Sequence, residues 1–139
     1  MISSIAIVLV FLAHFVADFP MQTRTMAENK STSWKWLSSH IAAYTVTMML
    51  LGLLFVSVSL LSDAMFDKAF IDVHLNFIHS WFLFCMINGL LHFFTDAITS
   101  RCTTYFYKKG DTHTFFTVIG FDQFIHAATL ILTYEWIMV

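Results

Sequence analysis

Three pairs of one histidine and one aspartate recur at a spacing of four: His14 with Asp18, His92 with Asp96, and Asp122 with His126. This spacing places both side chains of a pair on one face of a helix. Imidazole and carboxylate together are ligands for zinc, manganese or iron, and a metal held in this way activates water and polarises phosphoryl oxygens. All three pairs lie inside stretches that otherwise have the composition of membrane spans. An aspartate at the middle of a membrane helix costs roughly 2.5 to 3.5 kcal/mol on insertion scales, so each needs a partner that offsets the cost. A bound metal is the simplest such partner.

The elements that must position these pairs follow from composition. The chain has 139 residues, 58% of them hydrophobic, 17% aromatic and only 12% charged, with a mean hydropathy of +0.74. It is far more apolar than a soluble domain, which predicts an integral membrane protein. Apolar runs at about 2–19, 37–62, 76–99 and 114–138 are each long enough for a span. The expectation is therefore all-α: one domain over residues 1–139, with four transmembrane helices in an up-down bundle and no room for a soluble catalytic domain. Met1 to Ser4 carry no lysine or arginine, so the first run is read as a retained span rather than a signal peptide. Pro20 ends span 1, span 3 ends near Arg101, and Cys102 to Thr114, containing Lys108, Lys109 and Gly110, reads as a turn. Tyr134 and Trp136 fit an interfacial belt.

Arg24, Lys30 and Lys35 lie in the first loop, Arg101, Lys108 and Lys109 in the third, and Lys68 alone in the second. By the positive-inside rule loops one and three are cytoplasmic, and both termini face outward with the loop of Asp63, Asp67 and Asp72. In this topology His14, Asp18, His40, His92, Asp96, Asp122 and His126 all fall on the cytoplasmic side, roughly 7 to 15 Å below the nearest loop at 1.5 Å per residue. Four histidines and three carboxylates on facing helices are a ligand set of the kind bundle cores use for metals. One or two divalent ions are expected, zinc first and manganese or iron after it. His40 is a further ligand or a general base. Gln22, Tyr44 and Asn88 share these faces and are placed to orient ligands or bind substrate, whereas Gln123 points roughly 100° away from Asp122. Glu28 and Lys30 are expected to pair in water, and Arg24, Lys30 and Lys35 to attract anionic head groups. His74, His79 and His113 are read as interfacial or solvated.

A formal net charge of -2 with no basic patch speaks against nucleic acid as a partner. Membrane lipid and a lipid-linked or phosphorylated substrate are the expected partners. Cys85 and Cys102 form neither a disulfide framework nor a C-x-x-C site and read as packing residues. No H-E-x-x-H, G-x-S-x-G or doubled histidine box occurs, which sets aside zinc proteases, serine hydrolases and desaturase-like enzymes. The expected function is a metal-dependent hydrolase of a phosphoester or lipid-linked substrate. A second class stays open: a non-enzymatic membrane protein that handles ions or protons, or binds a host membrane partner, with the polar cluster as relay or structural glue. The outer halves of the spans offer chiefly Thr47, Ser57, Ser59, Thr129 and Thr133, which counts against a through-channel.

The pattern H-x-x-x-D-F-x-x-Q at His14, Asp18, Phe19 and Gln22, then Asn29-Lys30, His40 with Tyr44, N-x-x-x-H-x-x-x-D at Asn88, His92 and Asp96, and D-Q-x-x-H at Asp122, Gln123 and His126 resembles domain-of-unknown-function family 3307. That resemblance covers nearly the whole chain and implies a small polytopic membrane protein of bacterial or phage type, hence the bacterial inner membrane, and no reaction. A looser similarity, confined to H-x-x-x-D helices, is to membrane metal-dependent hydrolases and to all-helical zinc phospholipases C. The chain lacks the H-x-x-x-E element of the phospholipases, which argues against a trinuclear site.

Overall fold

The computed structural model describes residues 4–62 and 68–138, with side chains outside 58–74. Five helices follow one another: α1 (Ser4–Asp18), α2 (Arg24–Asn29), α3 (Trp34–Ser62), α4 (Lys68–Lys109) and α5 (Thr112–Met138). Among the described residues three helices are long and apolar enough to cross a membrane, over Trp34–Ser57, Leu75–Lys109 and Thr112–Met138. The 15 residues of α1 fall short of the roughly 17 to 25 that a span uses. Asp63 and Asp67 lie outside the described residues, and Asp72 and His74 belong to the backbone of α4.

Local chemistry sets each boundary. Pro20 has no N–H to continue α1, and the chain turns with Met21 N–H donating to the Val16 carbonyl at 3.1 Å. Thr23 caps α2, its hydroxyl accepting from Met26 N–H at 3.3 Å. The first loop is thus a short helix rather than plain coil. The expected turn from Cys102 to Thr114 is corrected more strongly, because α4 runs on to Lys109. Thr103 and Thr104 do not break it; their hydroxyls donate to the Thr99 and Ser100 carbonyls at 2.9 to 3.0 Å. Arg101, expected to end the span, bonds the Ala97 carbonyl and lies 4.3 Å from the Trp34 ring centroid. The stop comes at Gly110, whose φ of 76° lets Asp111 N–H reach Phe106 O and its own N–H reach Tyr107 O, both at 3.1 Å. Asp111 then caps α5 through Thr114 N–H at 3.0 Å and the Thr114 hydroxyl at 2.8 Å.

α4 is the central element, packed along α3 on one side and α5 on the other, with α1 laid across α3 and touching α5 along a shorter line. Glycines set the α3–α4 distance from both sides. A Cβ on Gly52 would lie 1.9 Å from Trp81 Nε1, and one on Gly89 would lie 2.3 Å from Thr45 Oγ1. Such small-residue contacts let membrane helices approach closely. Trp81 stacks between Phe77 and Phe84 and donates to the Met48 carbonyl at 3.0 Å. One end of the interior holds Val10, Met48, Trp81, Phe84, Cys85 and Leu130, and the other holds the histidines and aspartates. Outward faces carry Val8, Leu12, Leu50, Phe82, Leu90, Phe124 and Leu132, all exposed. Helices apolar outside as well as inside are those of a membrane bundle. Cys85 and Cys102 are unpaired. Trp136 is exposed as a belt residue would be, whereas Tyr134 turns inward against Phe84.

Two outcomes follow from these contacts. Gly52→Ala forces Trp81 off Met48 and is expected to destabilise the fold by about 1 to 3 kcal/mol, seen as a lower thermal midpoint in detergent. The Asp111 carboxyl is held below its usual pKa by its bonds from Thr114. Its support of the α5 start is present above the ordinary carboxylate range and is lost as pH falls through the lowered native value. The protection factor of the Thr114 amide, its exchange rate set against the intrinsic rate at the same pH, should therefore fall at acid pH in the wild type and be low already at neutral pH in Asp111→Ala.

Candidate metal centre

Every helix of the bundle sends polar side chains to one place. The last turns of α1 bring His14 and Asp18, the first turns of α3 bring His40 and Tyr44, α4 brings His92 and Asp96, and α5 brings Asp122 and His126. Six of the seven ligands expected from the sequence are buried: His14, Asp18, His40, His92, Asp96 and His126. Asp122 stands at the edge of the cluster, half-buried, with its side chain 16% exposed. The convergence expected from spacing and topology is therefore present.

The donor atoms are close. His40 Nε2 lies 3.2 Å from Asp18 Oδ1, 3.3 Å from Asp96 Oδ2 and 3.2 Å from His92 Nε2. His92 Nε2 is 3.4 Å from Asp18 Oδ1 and 3.6 Å from Asp96 Oδ1. Among the described residues two groups could hold a metal ion, Asp18 with His40 and His92, and His92 with Asp96 and His126. A tetrahedral zinc with bonds of about 2.0 to 2.1 Å has ligand-to-ligand edges of about 3.3 to 3.4 Å. Asp18 Oδ1, His40 Nε2 and His92 Nε2 stand 3.2 to 3.4 Å from one another, three such edges, so these residues fit such an ion. Both groups include His92, and a neutral imidazole offers one lone pair, which makes them alternative seats for one ion.

The flanking contacts orient these ligands. The Gln22 amide sits 3.0 Å from His40 Nδ1, a ring-fixing contact of the kind metal-site histidines require. Tyr44 shares a 3.1 Å hydrogen bond with His14 Nδ1 and lies against the His92 ring, whose other face stacks on His126 at 4.0 Å between centroids. His14 thus belongs to the wall: its Nε2 is 3.8 Å from Asp18 Oδ2, and it is in neither donor group. His126 Nε2 lies 3.4 Å from both Asp96 and Asp122. Asn88 sits a turn away along α4, donating to Thr133 Oγ1 at 2.8 Å and the Phe84 carbonyl at 2.9 Å, so it ties α4 to α5. Gln123 donates to Asp122 Oδ2 at 3.1 Å. His79 is exposed, as expected of an interfacial residue, and so is His113.

A family model of proteins of unknown function matches residues 6–139. The chain belongs to that family, DUF3307. No curated protein and no solved structure matches it, so the looser likeness to hydrolases is not shown.

One residue of this DUF3307 chain has a role that helical spacing does not reveal. Lys30 does not pair with Glu28 in water; Glu28 accepts from Arg24 Nε at 2.6 Å, and Lys30 Nζ donates to Asp96 Oδ2 at 2.7 Å with its side chain 19% exposed. α2 packs against α3, and Lys30 at its C-terminal end reaches across to α4. Only the Asn29-Lys30 element of the family pattern signals it. Beside Lys30 a cleft of about 230 Å³ opens onto Asp18, Asp96 and Asp122, walled by Gln22, Thr99, Ser100, Thr103, Thr104 and Gln123. Three aspartates and one lysine leave a charge of -2 with neutral histidines, which one divalent cation cancels.

Lys30→Met should weaken the docking of α2 by about 1.5 to 3 kcal/mol, the worth of a hydrogen bond to a charged group. The check is hydrogen exchange, which should accelerate over Thr23 to Ser31 while α4 and α5 keep their protection.

Proposed function

We propose that the protein is a four-span bacterial inner-membrane protein that binds one divalent ion, zinc by preference, in its His/Asp cluster and hydrolyses a phosphoester on a lipid-linked substrate. The mutual spacing of Asp18, His40 and His92, three edges of a tetrahedron, carries this reading. In the proposed topology α1 crosses with flanking residues, the helices alternate up and down, and the loops holding Arg24, Lys30, Lys35 and Lys108, Lys109 face the cytoplasm. The cluster then lies below the cytoplasmic surface and opens to it through the cleft under α2.

Bound metal would supply Lewis acidity to a phosphoryl oxygen and to water. The chain supplies the rest. Asp18, His40 and His92 would hold the ion, with Asp96 beside them on Lys30, so His40, 0% exposed, would serve as ligand, and the proton acceptor is Asp122, which lines the cleft and is steadied by the Thr99 hydroxyl at 2.6 Å. Water adds to phosphorus as Asp122 takes its proton, and Asp122 returns that proton to the ester oxygen as the phosphorus–oxygen bond breaks, releasing the alcohol and phosphate. Lys30 meets the phosphate charge. A second reading, a metal-free polar fastener, draws on the Lys30–Asp96 ion pair, which neutralises one carboxylate without an ion.

Elemental analysis of detergent-purified protein separates the two. Wild type is expected to retain one transition-metal equivalent, His92→Ala to lose it, and Asn88→Ala to keep it. Lys30→Ala should keep metal and lose turnover of a phosphoester lipid in mixed micelles. Wild type with only trace metal would sink the hydrolase and leave the fastener.

A further inference from the structure

The cleft has a second way out. Between α1 and α5 runs a seam of about 220 Å³ walled by Phe11, Phe15, Phe19, Ala127, His14 and Gln123. Phe19 and Gln123 also line the cleft, so the two spaces abut at these side chains. Phe15 and Phe19 are half exposed on the outer surface and stack at 5.6 Å, making one wall of the seam a pair of aromatic rings. At its inner end His14 is only 7% exposed, and its Nε2 has no hydrogen-bond partner. A larger apolar groove of about 310 Å³, between Leu9 on α1 and Phe55 and Trp81, shares no lining residue with the cleft.

We propose that a membrane phospholipid with a terminal phosphate monoester headgroup enters the site sideways through this seam. Its headgroup would rest in the cleft on Lys30, Gln22 and Gln123, and one acyl chain would lie between α1 and α5. The inference rests on the hydrolase reading for the fate of the headgroup, and on geometry alone for the route. Three observations carry it together. The apolar passage borders a polar cleft at Phe19 and Gln123, and it is lined by His14, whose Nε2 has no hydrogen-bond partner. The cleft's lysine matches an anionic headgroup. A seam some eight residues long on α1, from Phe11 to Phe19, offers about 12 Å of wall, enough for a good part of an acyl chain and too apolar to serve a soluble phosphoester.

The test places wild-type protein in phosphatidylcholine vesicles doped with a phosphatidic acid that carries a diazirine on its acyl chain. After illumination, adducts are mapped by mass spectrometry. Adducts should concentrate on Phe11, Phe15, Phe19 and Ala127 and be competed by unlabelled phosphatidic acid but not by added phosphatidylcholine. Ala127→Trp, which fills the seam, should lose them, and Leu9→Trp, which fills the separate groove, should not. The competition result needs no variant and so does not depend on whether Ala127→Trp folds. Even labelling around the outer surface, adducts gathered at Leu9 and Phe55, or equal competition by both lipids would overturn the route. His92→Ala distinguishes the two readings: seam adducts that persist without metal uphold the route while the hydrolase fails, and even labelling of metal-loaded protein does the reverse.

Discussion

Asp96 is the node on which this bundle depends. Lys30 from the first loop, His40 from α3, His92 from its own helix and His126 from α5 all bring a nitrogen within 2.7 to 3.6 Å of its carboxylate. His40 and His92 in turn meet Asp18 from α1. An ionised carboxyl buried among apolar helices is costly unless opposite charge and hydrogen bonds surround it. That requirement, met at a single residue, draws every helix of the bundle to one depth. The node also explains why a six-residue helix in the first loop is fixed: Lys30 reaches Asp96 only if α2 folds back over the cluster.

The opposite end of the bundle is held by different means. There Gly52 accepts the Trp81 indole, and nearer the histidines Gly89 accepts Thr45, so that α3 and α4 approach without polar contacts between charged groups. The Asn88–Thr133 hydrogen bond sits between the two regimes and ties α4 to α5 just beyond the histidines. Close packing in lipid gains from van der Waals contact rather than from hydrophobic burial, since the surrounding tails are equally apolar. The chain therefore separates its tasks along the bundle axis. An apolar half sets helix spacing, and a polar half uses that spacing to bring donor atoms within 3.2 to 3.6 Å of one another.

Much of the cluster is legible in the sequence, for a physical reason. Residues four apart share a helix face, and short connections keep the joined ends of successive helices together, which places His14, Asp18, His40, His92, Asp96, Asp122 and His126 to meet. Finer placement is not legible. Rotation of α1 turns His14 to Tyr44 and leaves Asp18 facing His40, a difference that spacing alone does not encode. Lys30 gives no such signal because a loop lysine has no periodicity, and its partner lies 66 residues away. The length of α4 is masked by Arg101, Thr103 and Thr104, polar residues that look like an ending but satisfy themselves on the preceding turn.

The number of ions in the proposed site follows from two independent constraints. Counting charges with Asp18, Asp96 and Asp122 alone gives -3 and invites two divalent cations. Lys30 changes the sum to -2, and one divalent ion then leaves the buried set neutral. Geometry reaches the same number by another path: both donor groups include His92, and a neutral imidazole has one lone pair for one metal. A second ion would have to displace the Lys30 ammonium from Asp96 and take its remaining ligands from His126 and Asp122, the latter open to the cleft. The lysine thus does the electrostatic work of a second metal. It does so from the wall of the cleft, where a phosphate would meet its charge.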